Sequence, residues 1–186
     1  MSSAIDTIRT ERLVLRPMRR GDTAPIFALL GNWAVIQWLS SPPWPYTLDD
    51  AQAFVDARLK HDQDGRIFVA ITLDDALIGG VGVRVGSAAE ASGRSPILAF
   101  WLGQPYWGHG HMTEAARAFI AHLFASTTVD TIYTGAFAGN ATSLRVQEKL
   151  GFERSGEMLL YSRPRGENCV HVNTELTRAR FLAVTQ

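Results

Sequence analysis

The run Tyr106-Trp-Gly-His-Gly-His-Met-Thr-Glu-Ala115 limits what this chain can fold into more than any other stretch. It follows a β-rich segment, Pro96 to Leu102. It precedes one in which Ala115/Ala116, Phe119/Ile120 and Leu123/Phe124 recur every four residues, the mark of an amphipathic helix. A strand, two glycines and a helix start in that order gather backbone N–H groups at the positive end of a helix dipole. Such a cradle binds anions, and phosphate is its usual occupant. A Walker-type loop would end in Gly-Lys-Ser/Thr, but the sequence has Gly110-His111-Met112. A dinucleotide fingerprint needs a third glycine and an acid at the end of the next strand; Thr113 takes the glycine's place and Asp130 precedes its strand.

The rest of the chain alternates strand and helix signals. Leu13 to Leu15 reads as a strand, and Gly21-Asp22 opens a helical pattern through Ile26, Leu29 and Leu30. Residues 33–46 hold three closely spaced prolines and four aromatic residues, which predicts an ordered but irregular loop. Thr47 is placed to cap a helix carrying Ala51, Phe54, Val55 and Leu59. Arg66 to Leu73 and Ala76 to Val85 form a hairpin across Asp74-Asp75, residues 86–95 form a second turn, and Pro96 to Leu102 is the next strand. Thr131 to Phe137 is a strand. A helix runs from Asn140 to a stop at Gly151, and two β runs follow near 153–162 and 168–177.

Composition narrows the class. A chain of 186 residues with 46% hydrophobic content supports one domain over residues 1–186. Eighteen basic residues balance eighteen acidic ones, so no overall field draws the chain to nucleic acid or an anionic membrane. No targeting segment or membrane-length apolar run is visible, and the expectation is a cytoplasmic protein. The single cysteine, Cys169, excludes an internal disulfide and a cysteine-based metal cage. Cys169 and His171 stand two apart on one strand face and could in principle serve as nucleophile and base; the expected role of the cysteine is a buried spacer. His109 and His111 lack companions for a zinc site, so no metal is expected. Both instead stand beside the phosphate loop, where His111 is the better placed to add positive charge.

Four patches carry a family resemblance: Thr10-Glu-Arg-Leu-Val-Leu-Arg16, Pro43-Trp-Pro-Tyr46, Trp107-Gly-His-Gly-His-Met-Thr-Glu-Ala115 and Asn140-Ala-Thr-Ser-Leu-Arg-Val-Gln-Glu-Lys-Leu-Gly-Phe152. In this order they resemble the GNAT N-acetyltransferases, and in particular the RimJ/RimL-like branch. The resemblance spans nearly the whole chain. It implies an α/β (α+β) GNAT fold, with a mixed, mainly antiparallel central sheet of about seven strands flanked by about four helices. It also implies acetyl-CoA as co-substrate, entering between two splayed strands near Leu102 and Tyr133, and direct attack by a primary amine on the thioester.

The same resemblance assigns residues. Trp107, Gly108, His109, Gly110, His111, Met112 and Thr113 would hold the coenzyme phosphates, and the backbone of Phe100, Trp101 and Leu102 would pair with its pantetheine arm. Trp107 replaces a common Arg or Gln, and Met112 replaces a small residue and could crowd the phosphates. The usual acid, a tyrosine, is here Gln147. Asn140 would then hold the arm and Ser143 would protonate the sulfur, although Asn140 and Ser143 also suit helix capping. Glu157 is taken as the base, with Glu90, Glu153, Tyr161 or a water chain open as alternatives. Glu114 in the first helical turn reads as structural. Trp38, Trp44 and Tyr46 would line the acceptor pocket or else cap the core. The expected acceptor is a protein or peptide N-terminus or a small amine, and the expected assembly is a monomer or homodimer. The competing reading is a binding module that holds coenzyme A or another phosphate ligand without turnover.

Overall fold

The computed structural model describes residues 7–60, 66–84 and 96–185. The predicted turn over 86–95, with Glu90, and His61 lie outside the described residues. The strands are β1 (Ile8–Arg9), β2 (Val14–Pro17), β3 (Arg66–Leu73), β4 (Ala76–Arg84), β5 (Ile97–Leu102), β6 (Thr131–Phe137), β7 (Glu153–Ser162) and β8 (Glu167–Thr177). They form one sheet in the order β1-β2-β3-β4-β5-β6-β8-β7, antiparallel except at β5/β6. The helices are α1 (Thr23–Leu30), α2 (Trp33–Ile36), α3 (Leu48–Leu59), α4 (His111–Ser126), α5 (Ala141–Lys149) and α6 (Arg178–Thr185).

Period-2 alternation sends β-strand side chains to two separate cores. Leu15, Ile71, Val81, Leu98 and Ile132 pack with Phe119 and Ile120 of α4 and Phe181 of α6 on one face. Ala70, Leu77 and Trp101 pack with Ile26 of α1, Ile36 of α2 and Val55 of α3 on the other. The first is the α4 face and the second the α1 face. Every helix of a two-faced sheet covers apolar area, which is why the central strands read as nearly continuous apolar runs.

Three elements differ from the sequence expectation. Strand β1 makes an eighth strand among the described residues; two residues are too few to show periodicity. Helix α2 lies inside the segment expected to be irregular. The prolines begin only at Pro42, and Asn32 caps the helix by accepting from the Ala34 amide at 2.9 Å. Helix α6 closes the chain where no pattern was visible, because only Phe181 of its eight residues is buried. The Thr47 cap is present as a reciprocal box: the Asp50 amide donates to Thr47 Oγ1 at 3.2 Å and the Thr47 amide to Asp50 Oδ2 at 2.9 Å.

The β3/β4 hairpin turns through Asp74 and Asp75, whose φ values are +48° and +65°. Two successive left-handed residues are the pattern of a type I′ turn, which favours glycine at its second position. Asp75→Gly is expected to stabilise the fold by roughly 0.5–1 kcal/mol, raising Tm by about 1–3 °C in calorimetry. A lower Tm would show that the favourable charge of Asp75 toward Arg16 outweighs its backbone strain.

Candidate active site

Strands β5 and β6 register at a single pair, Ile97 with Tyr133, and then diverge. At the apex the Tyr133 amide donates to Pro96 O at 2.9 Å, and Thr134 Oγ1 reaches across to Leu98 O, also 2.9 Å. Beyond it the strands leave a V. A cleft of about 1170 Å³ runs through this gap and opens on both faces of the sheet. Arg145, Lys149 and Glu157 line it on the α4 face; Trp38, Met158 and His171 line it on the α1 face.

Alternation decides which backbone groups look into the gap. Leu98 O faces β6, whereas the Gly103 amide bonds Ile78 O of β4. The amide and carbonyl of Phe100 and the amide of Leu102 therefore face the V, and those of Trp101 face β4. This corrects the expectation for Trp101: its contribution to the cleft is its side chain, on the α1 face. Leu102 O accepts the indole N–H of Trp107 at 2.7 Å, so Trp107 ties the strand end to the loop.

The glycine loop is built for close approach. Gly108 and Gly110 sit at φ +81° and +79°, and a Cβ on Gly108 would stand in open space. Gly110 is the N-cap of α4, so the helix start is turned toward the cleft. The loop is latched from a distant part of the chain. Arg12 Nη1 donates to His109 O at 2.9 Å, while Arg12 Nε and Nη2 each reach Glu114 Oε2 at 2.7 Å. Thr10 Oγ1 and the Arg12 amide donate to Glu114 Oε1 at 2.6 and 3.0 Å. Burial would raise the Glu114 pKa, yet these donors hold it below the ordinary carboxylate value. The structural role expected for Glu114 is thus explained, and Arg12 emerges as the loop's anchor. Its pairing partner lies 102 residues away, so no local signal in the sequence pointed to it.

Other loop residues depart from expectation. His111 is buried, and burial, with Arg12 and His109 nearby, pushes its pKa down, so it does not offer the positive charge assigned to it. The His109 side chain is exposed and does not border the cleft; its ring centroid stands 5.6 Å from that of His111. Met112 borders the cleft but is turned into the core, which removes the crowding expected from it. Thr113 lines the cleft one residue further along.

At the other side of the V, Asn140 Oδ1 accepts the Ser143 amide at 3.1 Å. The cap is therefore made by Asn140's side chain and Ser143's backbone, and the serine hydroxyl is left for other use. Buried Gln147 donates to Ser143 Oγ at 3.2 Å and to Gly135 O at 3.1 Å, and accepts from Thr174 Oγ1 at 2.7 Å. A hydroxyl oxygen that accepts from Gln147 keeps its own proton to give. Gln147 thus occupies the position of the missing tyrosine as an amide that orients the serine.

The aromatic segment divides. Trp38 borders the cleft and lies over the Arg165 guanidinium, 4.6 Å from ring centroid to Cζ. Trp44 is on the surface, 42% exposed, against Trp33. Tyr46 is buried in the α1-face core, where burial pushes its phenol up to about 12. Trp44 and Tyr46 are therefore not cleft residues, because their rings serve the surface pair and the core. Cys169 does not border the cleft either; its sulfur contacts Arg165 and Glu167.

A family model for the acetyltransferase (GNAT) domain matches residues 12–153. An uncharacterized N-acetyltransferase of Bacillus licheniformis is 26% identical over 165 residues, 87% of this chain and 90% of the relative. Among solved structures, RimJ of Mycobacterium smegmatis in complex with CoA-disulfide superposes with a TM-score of 0.80 at 20% identity, covering 97% of this chain and 95% of that one. RimL, a ribosomal-protein α-N acetyltransferase in complex with coenzyme A, gives 0.77 at 16% identity, covering 92% and 98%. With three quarters of its length inside the family model, this chain belongs to the GNAT family and is an acetyl-CoA-dependent acetyltransferase.

Proposed function

We propose that the chain moves the acetyl group of acetyl-CoA directly to a primary amine, a protein or peptide N-terminus or a small amine, as a single-domain cytoplasmic enzyme. The observation that carries this reading is the cleft that passes through the sheet, because it lets donor and acceptor meet from opposite faces. On the α4 face, the amides of residues 108–113 suit the pyrophosphate. Arg145 and Lys149, one turn apart on α5, add positive charge for further phosphate. Phe100 and Leu102 offer backbone groups to the pantetheine amides, and an amide N–H there would polarise the thioester carbonyl. Asn140 borders the arm, and Ser143 supplies the proton to the leaving sulfur. Trp38 on the α1 face borders the acceptor. The RimL neighbour, an α-N acetyltransferase of a ribosomal protein, supports an N-terminal amine as one acceptor class.

The test is thiol release from acetyl-CoA with a panel of peptides, amino acids, polyamines and aminoglycosides, followed by mass spectrometry of the products. An acetylated amine of +42 Da is expected in at least one class. Coenzyme binding without turnover across the panel would instead favour a non-catalytic module.

A further inference from the structure

We infer that His171, held by Asn173, is the general base that deprotonates the acceptor amine. The inference rests on the reading that the coenzyme enters from the α4 face. The loop, the α4 N-terminus, Arg145 and Lys149 all stand on that side, so the amine must approach through the V from the α1 face. Residues paired across a ladder point to the same face. Glu157 pairs with Val172, which alternation along β8 puts on the face of Leu176 in the α4-face core, and so shares the donor's side; His171 pairs with Phe137 and Met158 and lines the cleft on the acceptor's side. The base assigned from sequence is on the wrong face for its task, and a histidine is on the right one.

The structure around His171 orients it. Its Nδ1 lies 3.0 Å from Asn173 Oδ1. A carbonyl oxygen can only accept, so Nδ1 carries the hydrogen and the imidazole lone pair belongs to Nε2. The ring stands edge-on to Phe137 at 5.7 Å. Across the ladder Gly135 leaves the space the ring needs: a Cβ there would lie 2.4 Å from His171 Cε1. Phe137 ends β6 just before Asn140 and α5 and pairs with His171 of β8, so the acid and the base flank one strand end from opposite faces.

The chemistry balances. His171 Nε2 takes one proton from the ammonium form of the acceptor, and the freed lone pair forms the C–N bond. The C–S bond breaks with its electrons on sulfur, and the Ser143 hydroxyl protonates the thiolate. The second proton lost by nitrogen restores the serine through water, and His171 releases the first to solvent. The products are an amide, the free thiol of coenzyme A and one proton.

The test compares two acceptors at one pH, 7.5: a primary alkylamine with pKa ~10.4, which must be deprotonated, and hydroxylamine, which is un-ionised at that pH. His171→Gln should lower kcat/KM for the alkylamine about 10²-fold and for hydroxylamine less than about threefold, with unchanged acetyl-CoA affinity. Asn173→Ala should cost about tenfold with the alkylamine, and Asn173→Asp, which still accepts from Nδ1–H, should restore most of it. This second pair stands even if His171→Gln fails to fold. Equal losses on both acceptors would mean that His171 only shapes the pocket, and full activity with both would remove it from the mechanism; either overturns the inference while leaving the proposed function intact. Wild-type protein that binds acetyl-CoA but acetylates neither amine would overturn both.

Discussion

Ser143→Ala is expected to lower kcat about 10²-fold while leaving the dissociation constant for coenzyme A within about twofold. The substitution is clean for a structural reason. The helix cap joins Asn140's side chain to Ser143's backbone amide, and alanine keeps that amide. Gln147 keeps Gly135 O and Thr174, but one of its two Nε2 hydrogens loses its acceptor, a cost of about 1 kcal/mol, at the low end for a buried donor because Ser143 borders the open cleft. The Tm should therefore fall by about 2–4 °C, and a larger fall would show that the hydroxyl is a packing element. Steady-state kinetics and calorimetric titration separate these outcomes: an unchanged kcat would mean that the thiolate leaves without help from this serine.

Glu114→Ala should have the largest effect on stability. The carboxylate accepts from Thr10, from the Arg12 amide and from the Arg12 guanidinium, and its side chain is only 18% exposed. Removing it strands those donors and releases the hold on His109 O. A loss of about 2–3 kcal/mol follows, discounted from a fully buried pair because Arg12 is 42% exposed. That corresponds to a Tm lower by about 4–10 °C. Coenzyme affinity should fall about tenfold, because the loop no longer starts in its binding geometry. A drop in Tm with unchanged affinity would reduce the latch to a structural strut. The sign with pH follows from the lowered pKa of Glu114. Its contribution is full above the unfolded carboxylate value of ~4.3 and is lost as pH falls through the lower folded value. Wild-type protein should lose this increment in acid, and the alanine variant should not.

Legibility in the sequence followed the range of the interactions. The glycine loop and the Asn140 to Phe152 segment are local motifs, and their strand-loop-helix settings emerged as expected because cap, turn and apolar period all lie within a few residues of each other. Arg12 was hidden because its partner is on another element, and nothing in Thr10-Glu-Arg12 says which helix it will meet. Trp44 and Tyr46 looked alike as aromatic anchors, yet one lies on the surface and the other in the core; hydrophobicity alone cannot separate those fates. His171 has Cys169 two residues before it and Asn173 two residues after, and it is Asn173 that its ring meets. Both lie on the same strand face, so alternation permitted either. The face that Glu157 occupies is hidden for a related reason: it depends on the bulge between Arg154 and Gly156, and alternation counted from the strand start cannot locate it.

The hydroxyl of Thr134, bonded to Leu98 O, does at the apex what a ladder of backbone bonds would otherwise do. It ties β6 to β5 at the apex before any ligand arrives, so the gap beyond it is a break in the ladder that is already open. On the binding mode proposed above, a ligand that fills it would act as an added, non-peptide strand, the amides of a pantetheine arm meeting the groups of Phe100 and Leu102 as a neighbouring strand would. A purely hydrocarbon arm of equal length would cover the same surface and leave those amides unanswered, which gives this fold a way to prefer coenzyme thioesters over simple acyl chains.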